Sequence, residues 1–196
     1  MIPTQIATLD RALGGGVPRG ALTHFISVST LGANAIALRV IAGAHLAGEL
    51  AVYGDLSDTF DIDYALRCGM SLRAVLLAQP NPADALEVAL TLAQSGGVGA
   101  LILDGTICPP GGTSSEYRSL ARLLPRSDLA VVLLTGPVYP PALGEMAAIR
   151  IELKRERWLK RRSDVRGCRI QANILKNRFA LPRGLIRFSV DFGDWG

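Results

Sequence analysis

Eight residues, Ser27 to Asn34, read S-V-S-T-L-G-A-N and lie between an apolar run and a segment with helical apolar spacing. A loop in that setting cradles phosphate when it carries G-x-x-x-x-G-K-S/T. The glycines let backbone N–H groups close on the phosphates, the lysine reaches the β- and γ-phosphates, and the hydroxyl meets Mg²⁺. Here Ser27 takes the first glycine position, Gly32 the second, Ala33 the lysine and Asn34 the hydroxyl. The frame of a phosphate loop is present without its cation and its hydroxyl.

Two carboxylates, Asp55 and Asp104, also follow apolar strand runs. In a parallel sheet they should fall with Ser27 on one edge, at the carboxyl ends of the strands. A different chemistry sits at residues 154–169. There Lys154, Arg155, Arg157, Lys160, Arg161, Arg162, Arg166 and Arg169 stand against Glu156 and Asp164, a net +6 in a chain of net +4. A basic ribbon carrying Trp158 can neutralise phosphates and stack on a base. It can equally dock on an acidic protein surface, or keep an edge strand from pairing. His24 and His45 have no ligand-type neighbour at metal spacing, and no Ser–His–Asp set assembles. No catalytic residue and no metal site are expected.

These groups need a scaffold. At 196 residues, 49% hydrophobic and 19% charged, the chain suits one folded domain spanning 1–196. No apolar run approaches the ~20 residues of a membrane span, and the N-terminus lacks a signal-peptide pattern. Cys68, Cys108 and Cys168 are odd in number and widely spaced. A reduced, cytoplasmic compartment is expected.

The apolar pattern alternates strand and helix. Strand 21–26 leads through the loop to helix 34–47. Strand 51–53 precedes helix 61–67, and strand 74–77 precedes helix 83–94. Strand 100–103 precedes helix 116–124, and strand 129–134 follows. Gly14, Gly15 and Gly16 end a short N-terminal helix. This βαβα rhythm predicts an α/β fold with a mostly parallel sheet covered on both faces. After Gly136 the prolines 137, 140 and 141 break regular structure. Runs 149–153, 169–175 and 185–190 then read as strands without helices, an antiparallel end to the sheet. The basic segment becomes a hairpin with its tip near Ser163–Asp164.

Several of these stretches resemble the ATPase core of the RecA recombinase family. They are L-D-R-A-L-G-G-G-V-P-R-G (Leu9 to Gly20), D-I-D-Y-A-L-R-C-G (Asp61 to Gly69) and A-Q-P-N-P-A-D-A-L-E-V-A (Ala78 to Ala89). S-G-G-V-G-A-L-I-L-D (Ser95 to Asp104) and G-C-R-I-Q-A-N-I-L-K-N-R (Gly167 to Arg178) continue the likeness in the same order. The resemblance implies a three-layer RecA-like core and assigns roles. Asp104 matches the Walker B aspartate, Asp61 and Tyr64 match residues at adenine, and Gly32 matches the second loop glycine. Lys176 and Arg178 match a basic pair near a neighbouring subunit's phosphates.

The departures from that pattern carry the functional expectation. Besides Ala33 and Asn34, the family's catalytic glutamate falls on Ser57, with Asp58 beside it. Its γ-phosphate-sensing glutamine falls on Gly136, and only 107–115 and 138–144 stand where its DNA-binding loops would be. A catalytically inactive relative is expected, acting as a binding or regulatory partner in DNA repair, recombination or damage response. It would be a monomer or dimer, with a protein partner favoured over nucleic acid, and no membrane. Asp61 and Tyr64 admit two readings: a helix-start carboxylate and a half-buried aromatic, or remnants of a site that still binds ATP weakly.

Overall fold

The computed structural model describes residues 1–28, 32–162, 164–181 and 184–192. The chain runs α1 (Ala7–Leu13), β1 (Ala21–Ser27), α2 (Gly32–Leu46), β2 (Leu50–Asp55), α3 (Ile62–Arg67) and β3 (Val75–Ala78). It continues through α4 (Ala85–Ser95), β4 (Val98–Gly105), α5 (Ser114–Leu123), β5 (Ala130–Thr135) and α6 (Pro141–Met146). It ends with β6 (Ile149–Arg161), β7 (Asp164–Asn177) and β8 (Leu185–Asp191). The strands form one sheet in the order β3-β2-β4-β5-β1-β6-β7-β8.

The strands from β3 to β6 are parallel, and β7 and β8 are antiparallel. Alternate side chains of the central strands feed two cores. Ala51, Ile102, Val132 and Phe25 meet α1, α2 and α3, while Val52, Leu101, Val131 and Leu22 meet α4, α5 and α6. In β6, β7 and β8 one set alone is buried: Ile149, Ile151, Ile170, Ala172, Phe188 and Val190. A sheet end with one face packed and the other open to water buries only alternate residues in this way.

The sequence leaves clear marks on these elements. Gly14 caps α1 at φ 86°, and Thr113 with Glu116 forms a reciprocal capping box that starts α5. Gly43 on α2 lets the N-terminal segment lie against the helix. A Cβ there would stand 2.3 Å from the Pro3 carbonyl oxygen.

Three expectations change. Pro141 starts a helix instead of breaking structure: it occupies the first turn of α6, where its missing N–H has no acceptor to lose. Because α6 intervenes, β6 crosses over to lie parallel to β1, and the antiparallel part begins only at β7. The hairpin strands are also longer than their apolar runs, since β6 reaches Arg161 and β7 starts at Asp164. Arg161 pairs with Asp164 at the tip, and Ser163 lies outside the described residues. Cross-strand backbone bonds continue the ladder where no core remains to bury.

His24 is fully buried in β1, with Nε2 2.9 Å from the Thr135 hydroxyl. Burial first, and nearby Arg150 second, lower its pKa to about 3. The unfolded chain, with an ordinary value near 6.5, takes up a proton that the folded chain refuses. Stability is therefore full above about pH 6.5 and falls as pH drops toward 3.

Two measurements check this packing. Gly43→Ala should lose about 1–3 kcal/mol in urea unfolding, because backbone must move to admit the methyl. His24→Gln should flatten the decline in stability between pH 6.5 and 4 relative to the parent chain.

Candidate functional site

The carboxyl ends of the parallel strands bring Ser27, Asp55 and Asp104 to one edge, as the strand pattern predicts. Asp55 pairs with Asp104 across β2 and β4, and Ser27 pairs with Leu153 across β1 and β6. Ser29, Thr30 and Leu31 of the phosphate-loop frame lie outside the described residues.

Asp104 is the centre of this edge and has no solvent exposure. One carboxylate oxygen, Oδ2, accepts from Asn34 Nδ2 at 2.7 Å, from the Tyr53 hydroxyl at 2.7 Å and from the Thr59 hydroxyl at 3.2 Å. The other, Oδ1, accepts from the Thr106 backbone N–H at 3.1 Å and from the Thr106 hydroxyl. Burial, and then the Asp104 carboxylate, push the Tyr53 phenol far above its usual pKa, so it remains a donor. The Asn34 amide must present its NH₂ here, because its oxygen would face a carboxylate.

Asp55 is equally committed. Its carboxylate accepts from the backbone N–H groups of Ser57 at 3.2 Å, Thr59 at 3.1 Å and Phe60 at 3.0 Å. It thereby closes the loop between β2 and α3 in the manner of an Asx turn. Ser57, at the catalytic-glutamate position, donates to the Asp104 carbonyl at 3.1 Å and accepts from the Ile107 N–H at 3.0 Å. It is a strut between two loops. Asp58 stands at φ 51° and accepts from Gln79 at 3.2 Å.

Among the described residues, the groups around Asp104 do not fit a Mg²⁺ ion. A hydroxyl oxygen could share a cation with Asp104, but the Asn34 amide presents hydrogens where the cation would lie. Both oxygens of Asp104 already accept from the protein. Ala33 is buried, and a side chain at Gly32 would meet Ile170 Cδ1 at 3.0 Å.

Asp61 caps α3, accepting from the Tyr64 N–H at 2.9 Å. Tyr64 is half-buried and borders a cavity of ≈ 210 Å³ with Asn34, Leu38, Tyr53, Phe60 and Phe192. The structure thus brings Asp61, Tyr64 and Asn34 around one space. The sequence reading missed Phe192, although it continues the alternation of Ile186, Phe188 and Val190. The Phe192 ring meets Tyr64 edge-on at 5.3 Å between centroids. A planar base sandwiched between two rings needs them about 7 Å apart, so no base fits between these two rings as they stand. The cavity beside it, at ≈ 210 Å³, exceeds the ~150 Å³ space that holds benzene in an engineered core.

The basic residues divide by position. Leu153 is level with the end of β1, so residues 154–161 of β6 overhang the edge by roughly 25 Å at ~3.3 Å per residue. Arg169 lies 3.5 Å and Arg187 2.6 Å from Glu156, and Arg166 lies 3.8 Å from Asp164. Lys154, Arg157, Lys160, Arg161 and Arg162 have no ion pair among the described residues. Trp158 is half-buried: the Arg155 guanidinium covers its face at 4.0 Å, and Phe192 meets it at 6.2 Å. It therefore belongs to the core fringe and offers no bare ring at the ribbon's tip. Lys176 and Arg178 lie toward the opposite, amino-end edge, beside Arg150 and Ala148; the Lys176 ammonium donates to the Glu145 carbonyl at 2.7 Å.

Tyr53→Phe removes one donor from a buried carboxylate, and chemical unfolding should show a loss of about 1.5–3 kcal/mol. Asn34→Ala removes another and should lose a similar amount.

The comparisons with known proteins agree with this architecture. Residues 1–110 match the family model described as the RecA N-terminal domain. The RecA proteins of Citrifermentans bemidjiense and Geobacter sulfurreducens are each 28% identical over 227 residues, covering 98% of this chain and 67% of theirs. RecA of Aquifex pyrophilus is 28% identical, across 98% of this chain and 65% of its own. A crystal structure of the RadB recombinase superposes with TM-score 0.75 over 98% of this chain and 97% of that one, at 18% identity. With the family model matching more than half of its residues, on a sheet of the same architecture, this chain belongs to the RecA family.

Proposed function

We propose that this RecA-family core does not hydrolyse ATP and acts as a binding or regulatory partner in recombination or DNA repair. The observation that carries the reading is the 2.7 Å bond from the Asn34 amide to Asp104. It places N–H hydrogens where a nucleotide-hydrolysing site needs a metal ion. Phosphoryl transfer depends on positioning and charge stabilisation. Removing one electrostatic stabiliser commonly costs a factor of about 10²–10³ in rate. Here the lysine, the hydroxyl and the carboxylate positions are held by Ala33, Asn34 and Ser57. The association with recombination and repair rests on the relatives' names, RecA and RadB recombinase.

The test is turnover and binding with the purified protein. ATP hydrolysis should not exceed background, and ATP with Mg²⁺ should stabilise the fold no more than ATP alone. A ligand that binds only the native state raises the melting temperature, so a Mg²⁺-dependent rise would overturn the proposal, as would turnover at an ordinary ATPase rate. Adenosine stabilising as well as ATP would mean that the cavity beside Tyr64 still takes a base without its phosphates.

A further inference from the structure

The sheet has two sides, closed by β3 and by β8. β3 is four residues long, whereas β8 runs for seven without a bulge against β7. The ladder fixes which backbone groups of β8 point outward. At one end the Phe192 N–H donates to the Arg166 carbonyl, and at the other the Ile174 N–H donates to the Gly184 carbonyl. Bonded and non-bonded positions alternate along an antiparallel pair. Ile186, Phe188 and Val190 therefore turn their backbone groups to β7, and Leu185, Arg187, Ser189 and Asp191 turn theirs away from the sheet. The Asp191 carbonyl agrees, since it accepts from the Arg39 guanidinium at 2.7 Å. Among the described residues no backbone bond reaches Leu185, Arg187 or Ser189 from that side.

Edge strands are guarded by short length, lysine, proline or a bulge. β8 reads L-I-R-F-S-V-D and has none of these. An open notch of ≈ 360 Å³ lies between Ser189 and the first turn of α1, with room for a strand alongside.

The strand is complementary to its own reverse. Set a second β8 antiparallel beside it, with Ser189 opposite Ser189. Arg187 of each copy then stands opposite Asp191 of the other on the open face. On the core face Phe188 stands opposite Val190, and Ile186 opposite Phe192. The outward N–H groups of 187, 189 and 191 meet the outward carbonyls of the same three residues. Cross-strand pairs of opposite charge, and of apolar groups, stabilise a sheet. Other registers lose this match: an axis at Phe188 sets Leu185 against Asp191, and one at Arg187 sets two guanidiniums together. Arg187 already bonds Glu156 through Nε and Gln171 through Nη2. Its five N–H donors leave others for a second carboxylate.

We propose that a second copy of this chain docks on the β8 edge, antiparallel, about a two-fold axis through Ser189. The two sheets become one. Such a contact is isologous, each copy offering the same patch. Backbone bonds supply affinity and the paired side chains fix the register. This goes beyond the reading of the ATP site and does not depend on it: turnover assays decide one, mass measurements the other.

Sedimentation equilibrium of the full chain should give the mass of two chains. Ser189→Pro deletes an N–H that faces away from β7, a position where an edge strand accepts proline. It should leave a monomer with the parent's circular dichroism. Asp191→Arg sets like charges opposite each other at two symmetric places and should weaken association about 10-fold. A cross-link reads the register without relying on either variant. In a Cys108→Ser background, which removes the exposed thiol, Ser189→Cys should oxidise to a disulfide-linked dimer. Arg187→Cys should not, because its twin lies four residues along the strand, roughly 13 Å at ~3.4 Å per residue. A monomeric parent chain overturns the proposal. So does a dimer that Ser189→Pro leaves intact, or one that cross-links equally well through position 187. A monomer whose 187 and 189 amides resist hydrogen exchange also overturns it, and assigns the edge to another segment of the same chain.

Discussion

The carboxylate of Asp104 is the constraint on which the edge of this molecule depends. A buried charge is tolerated only when its lone pairs are met. Asn34, Tyr53, Thr59 and Thr106 meet them from four different segments. The start of α2, the middle of β2, the loop before α3 and the loop after β4 are thereby tied to one point. Asp55 does the same for its own loop through backbone N–H groups, and Ser57 links that loop to Ile107. In a site that worked on phosphate, some of this coordination would belong to a ligand and its metal. Here it is internal to the chain.

An edge organised from within leaves its outer surface to other uses. The loops beyond the two aspartates are short, and their tips are apolar where they follow the central strands. The arm of β6 and β7 is stiffened by the pairs from Arg169 and Arg187 to Glu156 and by Arg155 over Trp158. Those contacts hold the ribbon in shape while leaving its outer cations to solvent.

Most of the architecture could be read from residue patterns. Buried parallel strands such as β4 and β5 announce themselves as unbroken apolar runs, and Gly14 and the Thr113–Glu116 pair mark helix ends. The pattern misled at α6, where prolines that end one structure begin another, and that omission hid the parallel crossover into β6. It also shortened the hairpin, because strands that pair in solvent need no apolar alternation. The candidate site divided in the same way. Asp61, Tyr64 and Asp104 were identifiable as strand-end and helix-start residues, whereas Phe192, 128 positions beyond Tyr64 in the chain, was not.

By itself the sequence determined the element types, the missing lysine and hydroxyl, and the +6 segment, because propensity, loop chemistry and charge are local properties. The tertiary structure alone decided that Asn34 donates to Asp104 and that Phe192 meets Tyr64. Each of those facts depends on strand order and register, which join residues tens of positions apart and follow from how the sheet packs, not from any short stretch of chain.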